Sequence, residues 1–106
     1  MQYDLYATRE MSTNELQRAV ADATGVSFES RYSDFVGPYF KAELGDEVFH
    51  IELNFQDDYN EDEILEPEFA DYPVLLRVSR TLRGDELRVL LLEIPGLEHL
   101  RRNTRE

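Results

Sequence analysis

The chain has 106 residues, of which 42% are hydrophobic, and it carries 23 acidic against 11 basic side chains, for a formal net charge of -12. This length suits one domain spanning residues 1–106, and the apolar content is too high for a disordered acidic tail. With no cysteine and no apolar run near the ~18 residues that span a bilayer, disulfides and thiolate chemistry are excluded and a cytoplasmic protein that does not bind membranes is expected.

The first third of the chain predicts a strand, a helix and a second strand. Side chains of residues 3–7 alternate in the manner of a strand with one buried face. Ser12 and Glu15 have the spacing of a capping box and Gly25 supplies a left-handed stop, so a helix is predicted over Thr13–Thr24. Alternation over residues 27–33 then predicts another strand.

The middle of the chain predicts a β-hairpin. Apolar side chains alternate on both sides of Gly45-Asp46, and glycine at the first position of a two-residue loop favours a type II′ turn. That turn would set Ala42 opposite Phe49, so that apolar residues meet across the strands. On the opposite face the same register gathers a polar cluster, which consists of Tyr39, Lys41, His50 and Glu52.

The remainder predicts a long connection, a strand and a helix. Residues 56–72 form the connection, and a mainly buried strand follows over residues 73–81. Asp85 is the predicted N-cap of the second helix, and the polar tail over residues 101–106 is expected to fray. The order is therefore β-α-β-β-β-β-α. Two amphipathic helices would cover one face of an antiparallel sheet in a two-layer α+β sandwich, and the other face would stay in water.

Acidic residues are strongly segregated along the chain. Residues 43–71, the acidic segment below, hold 12 of the 23 acids and no Lys or Arg, whereas 11 acids and 11 bases balance outside it. This charge repels nucleic-acid phosphates and anionic lipids and attracts a basic protein. The predicted partner-binding residues are Asp57, Asp58, Tyr59, Glu61, Asp62, Glu63 and Glu66.

The sequence offers no catalytic motif, so no catalytic residue, metal or cofactor is predicted. There are only two His, no Cys and no G-x-S-x-G elbow. His50 and Glu52 point the same way from one strand and, with Tyr39, keep a small metal-dependent enzyme as an alternative. We favour a solvated sheet face, because strand alternation alone puts polar groups there. His99 is expected at the surface.

A calcium loop is also suggested by part of the acidic segment, but the pattern is incomplete. Asp58, Asn60 and Asp62 have the 1-3-5 spacing of such a loop. Glu63 stands where the sharp turn needs Gly, and Phe69 stands where a bidentate Glu is needed. A protein is therefore a better predicted ligand for this segment than a metal ion.

Three short stretches give the chain a family resemblance: GPYFKAE, EPEF and PVLLRVSRT, in a small acidic protein without cysteine. It resembles the small acidic immunity proteins of bacterial polymorphic-toxin systems. The resemblance implies a dedicated inhibitor, an immunity protein or antitoxin, that binds one cognate toxin domain inside the producing cell. From the acidic charge we expect that toxin to be basic and to act on an anionic substrate such as nucleic acid. We expect the protein itself to be a monomer or weak dimer. The resemblance assigns no functional residue. A scaffold domain that engages basic proteins generally is a further alternative.

Overall fold

The computed structural model of the chain describes residues 1–34, 37–55 and 64–105, and within them six strands form one open antiparallel sheet with two helices. The strand order is β2-β3-β4-β5-β1-β6. The predicted α+β sandwich is confirmed. The elements are β1 (Gln2–Thr8), α1 (Thr13–Thr24), β2 (Glu29–Ser33), β3 (Gly37–Leu44), β4 (Glu47–Leu53), a 3₁₀ turn (Pro67–Phe69), β5 (Val74–Thr81), α2 (Gly84–Leu92) and β6 (Leu97–Thr104).

Helix α1 begins and ends at its predicted signals. Ser12 Oγ accepts a hydrogen bond from the Glu15 N–H, and the Glu15 carboxylate accepts one from the Ser12 N–H, both at 3.1 Å. Gly25 takes a left-handed φ of 81° at the other end. Leu16 and Val20 are fully buried. The helix therefore packs on the sheet through one apolar stripe.

The hairpin of β3 and β4 has the predicted register. Ala42 lies opposite Phe49, and Lys41 lies opposite His50 on the other face. β5 pairs with β4 on one side and β1 on the other, so this predicted buried strand lies in the interior of the sheet. The main core lies between the helices and the face of the sheet that carries Ala42 and Phe49. Its fully buried side chains are Tyr6, Leu16, Val20, Phe49, Ile51, Leu76, Leu87 and Leu91.

The C-terminal strand corrects the expectation of a frayed tail. Residues 97–104 form β6, which pairs with β1 along its length. The stretch is polar and only Leu97 is buried, so hydrophobic periodicity does not reveal it. It pairs with the edge that β1 would otherwise leave open, and its arginines meet acids from β1, from α2 and from the connection before β5.

The second face of the sheet, opposite the helices, is not simply in water as predicted. Residues 65–72 fold back across it. Leu65, Phe69 and Tyr72 pack there on a small buried cluster of Leu5, Ala7 and Leu75. Both faces of β1 are therefore covered, whereas the sequence suggested one buried face.

Helix α2 starts two residues earlier than predicted. Arg83 occupies the N-cap without a side-chain cap bond, and Asp85 lies in the first turn instead of capping it. In the described part of the chain, no helix is long and apolar enough to cross a membrane.

Candidate functional site

The base of the acidic segment is fixed by one buried side chain, Asn54, directly after β4. Its Nδ2 donates to the carbonyls of Phe69 at 2.9 Å and Tyr72 at 3.0 Å, and its Oδ1 accepts from the Glu66 N–H at 2.8 Å. Asn54 is 0% exposed, so these bonds are shielded from water. One amide thus ties the start of the connection to its end.

Backbone contacts close the same base. Phe55 and Ile64 form an antiparallel bridge, and the Asn54 carbonyl accepts from the Leu65 N–H at 2.9 Å. Leu53 and Phe55 are 38% and 43% exposed beside it. Six of the predicted partner-binding residues lie outside the described residues: Asp57, Asp58, Tyr59, Glu61, Asp62 and Glu63.

Glu66, the seventh predicted partner-binding residue, is held inside the molecule. Its Oε1 accepts from Arg77 Nη1 at 2.9 Å and from Arg101 Nη2 at 2.8 Å, and its side chain is only 12% exposed. Burial alone would raise the pKa of Glu66, but the bonds from the two arginines outweigh it and lower that pKa below 4.5. The charge of Glu66 is thus compensated internally.

Glu52 is the most buried member of the predicted polar cluster, with a side chain 5% exposed. Arg77 Nε donates to its Oε1 at 2.8 Å. His50 Nε2 lies 3.1 Å from Oε2 but makes no well-directed hydrogen bond. Burial would raise the pKa of Glu52, yet its contacts with His50 and Arg77 lower the pKa below 4.5. Arg77 therefore bridges Glu52 and Glu66 across the second face.

The other two members of the polar cluster divide between different contacts. The Tyr39 ring stacks on His50, with 4.5 Å between centroids and an angle of 5°. Lys41 Nζ lies 3.1 Å from Glu43, a partly exposed pair. The structure thus brings Tyr39, His50 and Glu52 together and turns Lys41 towards Glu43.

This arrangement is better suited to holding the sheet together than to acid and base chemistry. Arg77 occupies Oε1 of Glu52, so a metal ion or substrate at that oxygen would have to displace a short ionic bond. Among the described residues no group of three or more His, Asp and Glu could hold a metal ion.

A second compensated acid of the acidic segment lies at the start of β4. Glu47 accepts from Arg83 Nη2 and from the Thr81 hydroxyl, each at 2.7 Å. Burial opposes ionisation of Glu47, but these bonds lower its pKa below 4.5. Glu47 thereby joins the hairpin to the turn that leads into α2.

The largest polar network on the helix side was missed by the sequence analysis. Asp4, 3% exposed, accepts from Arg102 Nε at 2.8 Å, and His99 Nε2 lies 3.2 Å from the same oxygen. Arg102 also donates to Asp85 at 2.7 Å. His99, expected at the surface, packs edge-on against the Tyr6 ring at 4.9 Å. Burial first, and Asp4 second, raise the pKa of Tyr6. The sequence could have indicated this network only through the pairing of β6 with β1, and the polar residues of β6 give no sign of that pairing.

These contacts sharpen the distribution of charge. Four acids of the segment pair with bases from outside the densest stretch: Glu43, Glu47, Glu52 and Glu66. Among the described residues, Asp46, Glu68 and Asp71 have no ion pair. Residues 56–63 contain five acids and no base. Four of the 12 acids of the segment are thus compensated by ion pairs within the described residues.

A scan against models of known protein families finds no match to this chain, and a search of curated proteins finds none similar to it.

Proposed function

We propose that this protein is a stoichiometric inhibitor, an immunity protein or antitoxin, that binds a basic toxin domain through the acidic segment. The observation that carries the proposal is the segregation of charge: 12 of 23 acids lie in residues 43–71 with no Lys or Arg. A patch of one sign attracts a cationic partner over several ångströms and repels anionic competitors.

The contacts around the segment support this proposal. Arginines on β5 and β6 compensate the buried acids Glu52 and Glu66, so these two contribute little to an outer field. The five acids of residues 56–63 have no basic neighbour in sequence and supply the attraction instead. Asn54, before this stretch, bonds to Glu66 and Phe69 after it, and so ties the flanking residues together at the end of β4. A charged patch on a rigid support loses less entropy on binding than one on a free tail.

Two apolar side chains add a means of tight binding. Leu53 and Phe55 are partly exposed at the base of the acidic stretch. Charge steers association, but anchors that fill pockets at the centre of an interface contribute most of the affinity. We place Leu53 and Phe55 at the centre of the contact with the toxin and the carboxylates around it.

A basic substrate-binding cleft is the part of the toxin that this surface fits. A toxin that acts on an anionic substrate such as nucleic acid must present Lys and Arg in that cleft. An acidic patch seated there would block the substrate by occupying the same charges. Binding would take place in the cytoplasm of the producing cell.

The proposal is tested with two variants of equal net charge. The first reverses Asp58, Glu61 and Asp62 to Lys. The control reverses Asp22, Asp34 and Glu98, which are exposed acids elsewhere, to Lys. The protein retained by the tagged wild type at physiological salt is identified, purified and assayed for binding rate and for loss of its activity at one-to-one ratio.

The first variant should slow association about tenfold or more, and the control much less. Equal effects of the two variants would remove the acidic segment from the mechanism. Several weakly held partners, none of them inhibited, would favour a scaffold domain instead.

A further inference from the structure

Helix α2 exposes two large apolar side chains on its outer side, among the charged residues Asp85, Glu86 and Arg88. Leu87 and Leu91 are fully buried against the sheet, but Val89 and Leu92 on the outer side are 66% and 46% exposed. The outer positions of α1 are polar, as on an ordinary surface helix, and include Asn14, Arg18 and Asp22. The outer face of α2 therefore has the composition of an interface.

The outer residues of α2 have the spacing of a short helix–helix seam. Val89 and Leu92, three residues apart, occupy positions a and d of a heptad. Leu82, seven residues before Val89 and just ahead of the helix, is the most exposed large hydrophobic residue at 84%. Among parallel coiled coils, a β-branched residue at a with Leu at d favours two helices over three or four.

The charges that flank this seam are complementary between two copies of the same helix. Arg88 takes position g and Glu93 position e, and both are exposed. In a parallel pair, position g of one helix faces position e of the other. Within its own chain Arg88 lies no closer than 3.9 Å to Asp85, and Glu93 has no ion pair among the described residues. Both charges are therefore available to a second copy.

Space for an incoming side chain exists beside the seam. A shallow groove of about 340 Å³ is lined by Glu86, Val89 and Leu90 and is mainly apolar. The helices lie on one face of the sheet, whereas residues 65–72, which end the acidic connection, pack on the other. Two copies joined through α2 would thus keep their second faces apart, which limits repulsion between two chains of charge -12.

We propose that α2 pairs with α2 of a second copy in a parallel two-fold dimer. Val89 and Leu92 form the seam, and Arg88 of each copy faces Glu93 of the other. The seam spans little more than one heptad, so association is weak and depends on concentration. This interface does not involve the acidic segment and does not depend on the function proposed above.

Sedimentation velocity of the full chain, from micromolar to millimolar concentration at physiological salt, tests whether a dimer forms. The wild type should shift from monomer to dimer mass across the series. Val89→Glu should stay monomeric, with circular dichroism and urea unfolding unchanged at low concentration because Val89 is exposed. A wild type that stays monomeric throughout, or a Val89→Glu variant that still dimerises, would overturn the proposal.

Charge exchange tests the parallel register. Arg88→Glu and Glu93→Arg should each weaken the dimer severalfold, since each sets two pairs of like charges together. The double variant R88E/E93R restores opposite pairs and should recover the wild-type mass distribution. Failure of the double variant to recover dimerisation would rule out the parallel arrangement.

Discussion

The two faces of the sheet are stabilised by different interactions. The face under the helices is mainly an apolar core, with Phe49, Ile51 and Leu76 fully buried, and the Asp4 network lies beside it. The opposite face has a small apolar cluster beside a network in which Arg77 bridges Glu52 and Glu66. The stability of the helix-side core depends on the volume and shape of its apolar side chains. The stability of the second face depends on specific ion-pair partners.

This difference determines how each face responds to substitution. Burying one apolar side chain contributes roughly 1.5 to 3 kcal/mol to stability, whichever element of the chain supplies it. An ion pair contributes little as a pair, because desolvation offsets the attraction, but removing one partner leaves a buried charge. The second face is therefore more sensitive to the loss of a single partner than its small apolar area suggests.

The largest effect is expected from a cavity in the helix-side core. Leu76 is 0% exposed and lies opposite Ile51 and Tyr6 on the neighbouring strands. Leu76→Ala should lower the free energy of unfolding by about 3 to 4 kcal/mol in urea titration followed by circular dichroism. Leu44→Ala, a control at a 56% exposed leucine, should lower it by less than about 1 kcal/mol. Similar losses of unfolding free energy in the two variants would mean that side-chain volume does not dominate the stability of the helix-side core.

The next largest effect is expected at the base of the acidic segment. Asn54→Ala removes three buried hydrogen bonds to the backbone and should lower the free energy of unfolding by about 2 to 3 kcal/mol. Asn14→Ala, at an exposed asparagine of α1, should change it by about 0.5 kcal/mol or less. Hydrogen exchange would show the loss at Leu65 and Glu66 first. Unchanged protection of these two backbone amides would argue that Asn54 does not hold the connection in place.

A smaller loss is expected when the ionic bridge is broken. Arg77→Ala leaves Glu52 buried without its main partner, whereas Glu66 keeps Arg101. The free energy of unfolding should fall by about 2 kcal/mol, less than for a fully buried pair because Arg77 is 32% exposed.

Two comparisons sharpen that measurement. Lys41→Ala on the same face breaks an exposed pair with Glu43 and should have an effect of about 0.5 kcal/mol or less. The double variant Glu52→Leu with Arg77→Leu should recover much of the loss, since no charge is then buried. If it recovers nothing, the arginine matters for another reason.

The smallest effect is a change in the dependence of stability on pH. The pKa values of Glu47, Glu52 and Glu66 are lowered below 4.5 in the folded chain, so the unfolded chain binds more protons in acid. Their contribution is present above about pH 4.5 and is lost as the pH falls through the lowered values. Urea titrations at several pH values should show a shallower fall for Arg77→Ala and an unchanged one for Leu76→Ala. The same dependence of the free energy of unfolding on pH in both variants would contradict the stabilisation of the second face by ion pairs.

The sequence predicts the helix-side face well, because its signals are local. Gly45-Asp46 sets the hairpin register, and Ser12 with Gly25 bounds α1. The second face was predicted only in part, since Arg101 and Glu66 come from positions that no local pattern connects. Glu66 was counted as a free surface acid for the same reason. β6 was missed because its pairing with β1, and not its own hydrophobicity, makes it a strand.

The position of β1 in the sheet also constrains the order of folding. Its two neighbours are β5 and β6, so β1 pairs with strands that follow it in the chain by more than 60 residues. Asp4 meets His99 across 95 residues. A chain emerging from the ribosome can form α1 and the hairpin early, but it carries unpaired strand edges on β1 and β4 until β5 and β6 have been synthesised. The chain should therefore depend most on chaperones during translation. Deletion of β6 should lead to aggregation of nascent chains.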